Sequence, residues 1–408
     1  ERTRIATDLM SSQAQIPTAA HADSRRFAVA LAAFYASLFG LVGTHLPFFP
    51  VWLKAVGIDA AWIGVITALP AISRFTALPF VTSLAERRQA VRQAIVITAF
   101  ATAIGLVAIG TQHDAPVLFA IYAWTCCLWT PMTPLTDAYA LRGVRRYGLN
   151  YGPLRLWGSA AFVAGTLACG LMIEVMDARH LIWVIGAVAA IGALVSLNLK
   201  PIDAPKPAVA EARGDIRLLR DAGFLAIIAT SALVQGSHAA YYTFASIAWQ
   251  QAGYGGLTIA GLWVLGVVAE IVLFAYSPRF RMPFALLVVI AALSAALRWL
   301  ITAQSPPIAI LAVVQLGHGL SFGLTQVATM GLIAQRVPGH VMARGQGYLV
   351  ACAGIVTSAA SIASGAIYSQ FGERVYYLMA AMALAAALIM WLSRHSLASN
   401  PGGQVSGG

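Results

Sequence analysis

Charged residues are scarce in this chain. Asp, Glu, Lys and Arg together make up 10% of its 408 residues, while 59% are hydrophobic. A water-soluble domain carries about 25% charged residues. With so few charges a fold of this size cannot clothe its surface for water, and a mean hydropathy of +0.77 agrees. Most of the surface is therefore expected to face lipid. Cysteine is scarce too. Cys126, Cys127, Cys169 and Cys352 all lie inside apolar runs with no C-x-x-C or metal spacing, so four buried thiols are expected, with no metal site. Sequence signatures of catalysis are missing: there is no H-E-x-x-H, P-loop or G-x-G-x-x-G. A G-x-S-x-G occurs at 319–323, but it sits in an apolar helical run with no strand before it. Close helix packing explains its small residues better than a hydrolase elbow. No enzyme activity, catalytic residue or cofactor is expected. Residues 1–26 are polar, so no cleavable signal peptide is expected either.

Long apolar runs are abundant. A bilayer core of about 30 Å takes about 20 helical residues to cross, and twelve such runs can be read. They lie near 27–53, 60–83, 94–111, 116–141, 151–174, 180–199, 222–250, 257–277, 283–303, 306–335, 345–370 and 373–393. The fold class expected is an all-α integral membrane protein of twelve transmembrane helices in two six-helix pseudo-repeated halves. Its parts are an N-terminal tail (1–26), a first half (27–199), a central loop (200–221), a second half (222–394) and a C-terminal tail (395–408), with both tails disordered. Trp52 and Gly64 in the first half match Trp249 and Gly261 in the second at the same separation, which supports duplication.

The net charge of +11 would suggest nucleic acid in a soluble protein. Here the basic residues sit in short loops, so the membrane surface explains them and no nucleic-acid partner is expected. On the side of the termini fall 20 of the 26, among them Arg25, Arg26, Arg87, Arg145 and Arg336; the opposite loops hold only Lys54, Arg179 and Arg374. That split places both termini and the central loop in the cytoplasm.

The remaining three basic residues lie inside spans. A charge at mid-membrane costs about 2.5–3.5 kcal/mol on insertion scales, so such residues are candidates for function. They are Arg74 (span 2), Asp137 (span 4), Arg155 (span 5), Glu270 (span 8) and Arg298 (span 9), joined by His45, His238 and His318 in spans 1, 7 and 10. Asp137 and Arg155 each lie five residues inside the same face, about 7 Å deep at 1.5 Å per residue. They are expected to bridge, the alternative being that both snorkel to the interface. Glu270 and His318 share a depth near the midplane. Glu270 is the leading candidate for a proton carrier, with Asp137 and His318 behind it, and Arg298 is expected to balance its charge. For Arg74, His45 and His318 a structural role is equally open.

The stretch "PLTDAYALRGVRRYGLNYGPLRLWGSAAF" (134–162) resembles the major facilitator superfamily. With "LPFFPVWLKAVGI" (46–58), "QGSHAAYY" (235–242), "GVVAEIVLFAYSPRF" (266–280), "ALRWLITA" (296–303) and "LGHGLSF" (316–322) it resembles more narrowly the lactose-permease and phenylpropionate-permease branch of proton symporters. The likeness covers nearly all of 27–394. It implies that Asp137 and Arg155 stand at a substrate site, and that Glu270, Arg298 and His318 match that branch's span-8 glutamate, span-9 arginine and span-10 histidine. Where lactose permease has a proton-carrying glutamate three residues after the histidine, this chain has Ser321. The G-x-x-x-D-R-x-G-R-R loop of the superfamily is reduced to "TSLAERRQAVR" (82–92). The resulting expectation is a monomeric, proton-coupled importer of a small organic solute in a bacterial inner membrane. An aromatic carboxylate such as 3-phenylpropionate is the leading solute, and Arg74, His45 and His238 join the candidate binding residues. The rivals are a sugar or nucleoside symporter, a drug-exporting antiporter and a membrane assembly factor on the same scaffold.

Overall fold

The computed structural model describes residues 18–202, 216–338 and 341–398. Among them eleven helical stretches are long and apolar enough to cross a membrane, and the last, Met342–Leu397, holds two helices parted by a 3-10 turn at Gly372–Val375. Twelve membrane helices result: α1 (Ala22–Ala55), α2 (Ala60–Arg87), α3 (Val91–Gly110), α4 (Ala115–Tyr147), α5 (Tyr151–Val175) and α6 (Ala178–Ser196) in the first half. The second half holds α7 (Ala222–Gln251), α8 (Gly256–Arg279), α9 (Phe284–Thr302), α10 (Ile308–Arg336), α11 (Met342–Phe371) and α12 (Tyr376–Ala398). The protein is thus a multi-pass membrane protein, all-helical among the described residues. The face carrying its two ends is called the near face below, and the opposite one the far face.

Helix starts follow capping chemistry. Asp59 accepts from the Trp62 amide at 2.9 Å and Asp114 from the Val117 amide at 3.2 Å, each satisfying a free N–H of the first turn. At the near face Asp221 accepts from the Gly223 amide and takes both arms of the Arg336 guanidinium, at 2.6 and 2.7 Å. This ties the start of α7 to the end of α10, and the Arg336 hydrogen bonds hold the Asp221 carboxyl below the usual carboxylate range.

The chain departs from expectation at the start of α1 and in its register. Helix continues back to Thr18 instead of starting at Phe27, because the segment is alanine-rich and Asp23 is anchored to Lys200 at 2.6 Å. The rest of the expected N-terminal tail (1–17), most of the central loop (203–215) and the C-terminal residues 399–408 lie outside the described residues. The duplication is visible in the backbone, but one residue out of step with the Trp and Gly pairs. α1 and α7 both end in a left-handed glycine, Gly57 (φ 93°) and Gly253 (φ 86°). The next amides, Ile58 and Tyr254, close back onto the carbonyls of Leu53 and Trp249. Trp249 is therefore the counterpart of Leu53, and Gly261 has open space around it where Gly64 is tightly packed. Two of the four thiols, Cys127 and Cys352, are only half-buried, unlike Cys126 and Cys169.

Four helices are interrupted within the membrane. α2 breaks at Thr76, α4 at Thr130–Pro131, α7 at Ser237–His238, and α10 passes through a π-helical turn at Gly319–Gly323. Pro131 lacks an amide hydrogen, which explains the break in α4.

The two halves meet towards the far face. Here α2 crosses α11 at Gly64 and Gly365, where a Cβ on Gly64 would lie 2.7 Å from the Gly365 Cα. α5 crosses α8 at Gly170 and Gly256, and a Cβ on Gly256 would lie 2.3 Å from the Gly170 carbonyl oxygen. Only glycine permits such approach. Thr67, Thr243 and Ser361 form a hydroxyl triangle between the halves, with sides of 3.0, 3.1 and 3.4 Å. Glu174 of α5 accepts from the Leu257 amide at the start of α8. The near-face segments behave differently. Met132–Tyr147 and Leu324–Arg336 make their main contacts within their own halves, and the second half has its own apolar core there, drawn from residues 218–397 alone. The space between the halves accordingly opens on the near face and is shut on the far face.

Candidate functional site

In the second half, four helices converge on a buried guanidinium. Arg298 of α9 is 3% exposed and gives four of its five N–H donors to protein acceptors. Its Nε donates to the Val314 carbonyl (2.9 Å), Nη2 to Gln315 Oε1 (3.2 Å), and Nη1 to Ser321 Oγ (3.0 Å) and His318 Nδ1 (3.1 Å). His238 Nε2 stands 3.4 Å from the same Nη1. Trp299 and Tyr241 present their ring faces to the cation at 4.5 and 5.1 Å.

These contacts fix the imidazole tautomers. His238 Nδ1 donates to the Val234 carbonyl at 2.9 Å, so its Nε2 is the lone-pair nitrogen facing Arg298. His318 Nδ1 accepts from Arg298, so its proton is on Nε2, which lies 3.0 Å from Glu270 Oε1. That approach is close but poorly aligned, and Oε1 is buried with no donor aimed along its lone pairs. The order is therefore guanidinium, imidazole, carboxylate. Arg298 makes no direct contact with Glu270, because His318 is interposed. With Arg298 donating to Nδ1 and the proton on Nε2, His318 has no free lone pair, whereas Glu270 Oε1 accepts no hydrogen bond.

Local sequence makes this geometry possible. Gly319 opens the π turn, and a Cβ there would come within 2.7 Å of the Ala269 carbonyl oxygen. The missing side chain lets α10 press against α8 beside Glu270. The same turn brings Ser321 round to Arg298, so the residue at the departure from the family pattern is a hydrogen-bond acceptor for the arginine.

The first half holds a second cluster. Asp137 of α4 accepts from Tyr35 Oη at 2.6 Å and from Tyr151 Oη at 3.0 Å, both on Oδ1. The expected ion pair is absent: among the described residues no salt bridge joins Asp137 to Arg155. Two tyrosines satisfy the carboxylate instead, and Arg155 lies over the Phe39 ring at 3.7 Å and the Tyr35 ring at 5.5 Å. Arg155 thus has aromatic partners and no anionic one. Arg74 of α2 has neither a hydrogen bond nor an ion pair among the described residues. It is exposed, and Tyr242 of the other half lies within reach of its charge, so it faces the space between the halves. Thr67 of the hydroxyl triangle lies seven residues above it on α2, about 10 Å at 1.5 Å per residue.

His45 is set apart from both clusters. It stacks on Phe49 at 4.5 Å, meets Trp129 edge-on at 4.5 Å and bonds Tyr122 Oη at 3.0 Å, a packed aromatic core position. The sequence reading missed Tyr35, Tyr151, Phe39 and Gln315. Nearness in the chain was the available signal: Tyr151 follows Asp137 by fourteen residues and opens the next helix across a short loop. Nothing local marked Tyr35.

The architecture and charge set now have a counterpart among known proteins. A model of the MFS_1 like family matches residues 28–379. The chain belongs to the major facilitator superfamily. Its similarity to a relative in Escherichia coli (strain K12) named "Probable 3-phenylpropionic acid transporter" is 31% identity over 370 residues, 88% of this chain and 96% of that one. A maltose permease of Geobacillus stearothermophilus is 27% identical over 299 residues, 71% of this chain and 75% of the permease. Among solved structures, a mutant of the nucleoside transporter NupG superposes with a TM-score of 0.80 at 16% identity, covering 90% of this chain and 99% of that one. These superfamily members are transporters, and this chain is one too, not an enzyme.

The tyrosine-capped acid leads to an expected result. Asp137→Asn lowers uptake because it removes the acceptor of two tyrosine hydroxyls, and Arg155→Gln lowers it by removing a cavity cation. The charge-swapped double variant is no better than either single, as the two side chains are not paired. Uptake and thermal stability of the three variants check this; rescue in the swap would establish a direct bridge.

Proposed function

We propose that the protein imports a small aromatic carboxylate together with a proton, by alternating access across a bacterial inner membrane. The observation that carries this is the surplus of cationic charge in the cavity. Among the described residues Arg74 and Arg155 have no carboxylate partner, while Arg298 already has four protein acceptors. A substrate carboxylate would supply the missing anion, and Phe39, Tyr35 and Tyr242 offer ring faces beside the two arginines. The similarity to the Escherichia coli protein supports the same substrate class. Glu270 is the proton site in this reading, tuned by the His318 imidazole and within the field of Arg298. Arg74, Arg155 and Asp137 with its tyrosines bind the solute, whereas His45 holds the first half together. In this reading both termini are cytoplasmic, on the 20-to-3 division of basic residues, and the space between the halves opens inward.

Charge balance gives the test. One carboxylate anion moving with one proton is electroneutral, whereas a sugar or nucleoside moving with a proton carries charge. In proteoliposomes, 3-phenylpropionate accumulation is expected to follow an imposed pH gradient and to ignore a membrane potential imposed alone. A pH difference of one unit supports about tenfold accumulation, as one unit is about 1.4 kcal/mol. Inhibition of uptake by sugars or nucleosides, or accumulation driven by potential alone, would reject an aromatic acid as the solute.

A further inference from the structure

We infer that the groove between α1 and α6 at the near face is a binding site for one anionic phospholipid, its phosphate held by Arg25, Arg26 and Lys200. The groove has a volume of about 590 Å³, and its walls include Val29, Ala33 and Val195 as well as these cations. It arises from how the two helices part. Midway along α1, Ser37 touches Gly192 of α6, where a Cβ would stand 3.3 Å from the serine hydroxyl. Only about 10 Å³ is left unfilled around that crossing. Below it the helices diverge, and Arg26, Val29, Ala33 and Ser37 follow one stripe of α1 at spacings of three and four residues. From Ser37 to Arg26 is eleven residues, about 16 Å at 1.5 Å per residue, close to half of a hydrocarbon core of about 30 Å. The cations therefore stand at headgroup level and the apolar walls beside the acyl chains.

The charges at the rim are unbalanced. Among the described residues Asp23 is the one carboxylate beside this group, and it is taken by Lys200 at 2.6 Å while also lying in the fields of Arg26 and Arg146. Arg25 and Arg26 are exposed and have no hydrogen bond or ion pair among the described residues. A soluble phosphate would satisfy the rim and leave the walls bare, with Val29 61% exposed. A phospholipid satisfies both. Basic pockets between membrane helices on one face commonly hold anionic headgroups.

The test is native mass spectrometry of the full chain in detergent with equal amounts of dioleoyl phosphatidylglycerol and dioleoyl phosphatidylcholine. One copy of phosphatidylglycerol is expected to remain bound, preferred by about tenfold or more. Arg25→Gln with Arg26→Gln is expected to abolish the preference, and Val29→Trp with Ala33→Trp, which fills the slot and leaves the charges, to lose the bound lipid. Millimolar inorganic phosphate is expected not to displace it. Equal retention of the two lipids, unchanged preference in the double glutamine variant, or displacement by phosphate with retention in the tryptophan variant would each overturn the assignment. Elution of each variant at the wild-type position in size exclusion shows that it is folded.

Discussion

Replacing Glu270 with glutamine is expected to end concentrative uptake while leaving solute exchange intact. Glutamine has the shape of the protonated acid and keeps the contact with His318, 3.0 Å away in the native site, but it cannot release a proton. A carrier that must return empty needs Glu270 to be ionised for that step or to reset it, whereas exchange of one solute for another never passes through the empty form. In proteoliposomes with a pH difference of one unit, accumulation should fall from about tenfold to about onefold. Counterflow of labelled against unlabelled solute should stay within about a factor of three of wild type, the usual context dependence of a conservative change at a binding site. Accumulation that survives in this variant assigns the proton elsewhere, and Asp137 is then the acid to test. Arg298→Lys is a useful companion. Lysine keeps the charge but cannot reproduce the fork that reaches Val314, Gln315, Ser321 and His318 together. Loss of exchange as well as accumulation in that variant separates building the site from carrying the proton.

The second large effect is expected at the glycine crossings. Leucine at Gly170 or Gly256 cannot be accommodated with the far face shut, because the atoms in the way are backbone: the Gly256 carbonyl oxygen at 2.6 Å and the Gly170 carbonyl oxygen at 2.3 Å. Overpacking of this kind costs about 1–3 kcal/mol, which moves the balance between the two access states by about 5- to 150-fold. Gly64→Leu strikes the equivalent crossing against Gly365. Each variant should hold the far face open and lose most transport. A cysteine at Ser361, in the hydroxyl triangle, should become reactive to a membrane-impermeant maleimide from the far side only in the glycine variants. Cys127 and Cys352 are half-buried and must be replaced first. Wild-type transport by Gly170→Leu or Gly256→Leu would mean that this crossing does not close during the cycle.

Much of this was legible in the amino-acid order. Spans are set by a simple quantity, the length of apolar chain between polar breaks, so ends such as 60 for α2, 151 for α5 and 222 for α7 agree with the helices. Intramembrane charge is equally local, and it marked Glu270, Arg298 and His318, which the structure gathers. What failed depended on partners from elsewhere in the chain. Depth alone put Asp137 beside Arg155, but depth does not say which way each helix is turned, and Tyr35 from α1 occupies the carboxylate. Nor could depth place His318 between Arg298 and Glu270, since that order comes from the π turn and the bare Cα of Gly319. The Trp52 and Trp249 match missed by one residue, because the turn geometry at Gly57 and Gly253 sets the register and side chains near it are free to drift.

The interruptions in α4 and α10 sit at equivalent places in the two halves, Thr130–Pro131 and Gly319–Gly323. An uninterrupted helix bends only by stretching its ladder of amide bonds, and every stretched bond in lipid is costly. Here that ladder is already cut or loosened on both sides of the cavity. In the proposed cycle the near-face segments Met132–Tyr147 and Leu324–Arg336 would serve as separate levers, each turning at its interruption. Shutting the near face would then be shared between the halves, and the interruption in the second half is the turn that presents Ser321 to Arg298. A change of protonation at Glu270 would act next to that fulcrum, where a small displacement is magnified along thirteen residues of α10.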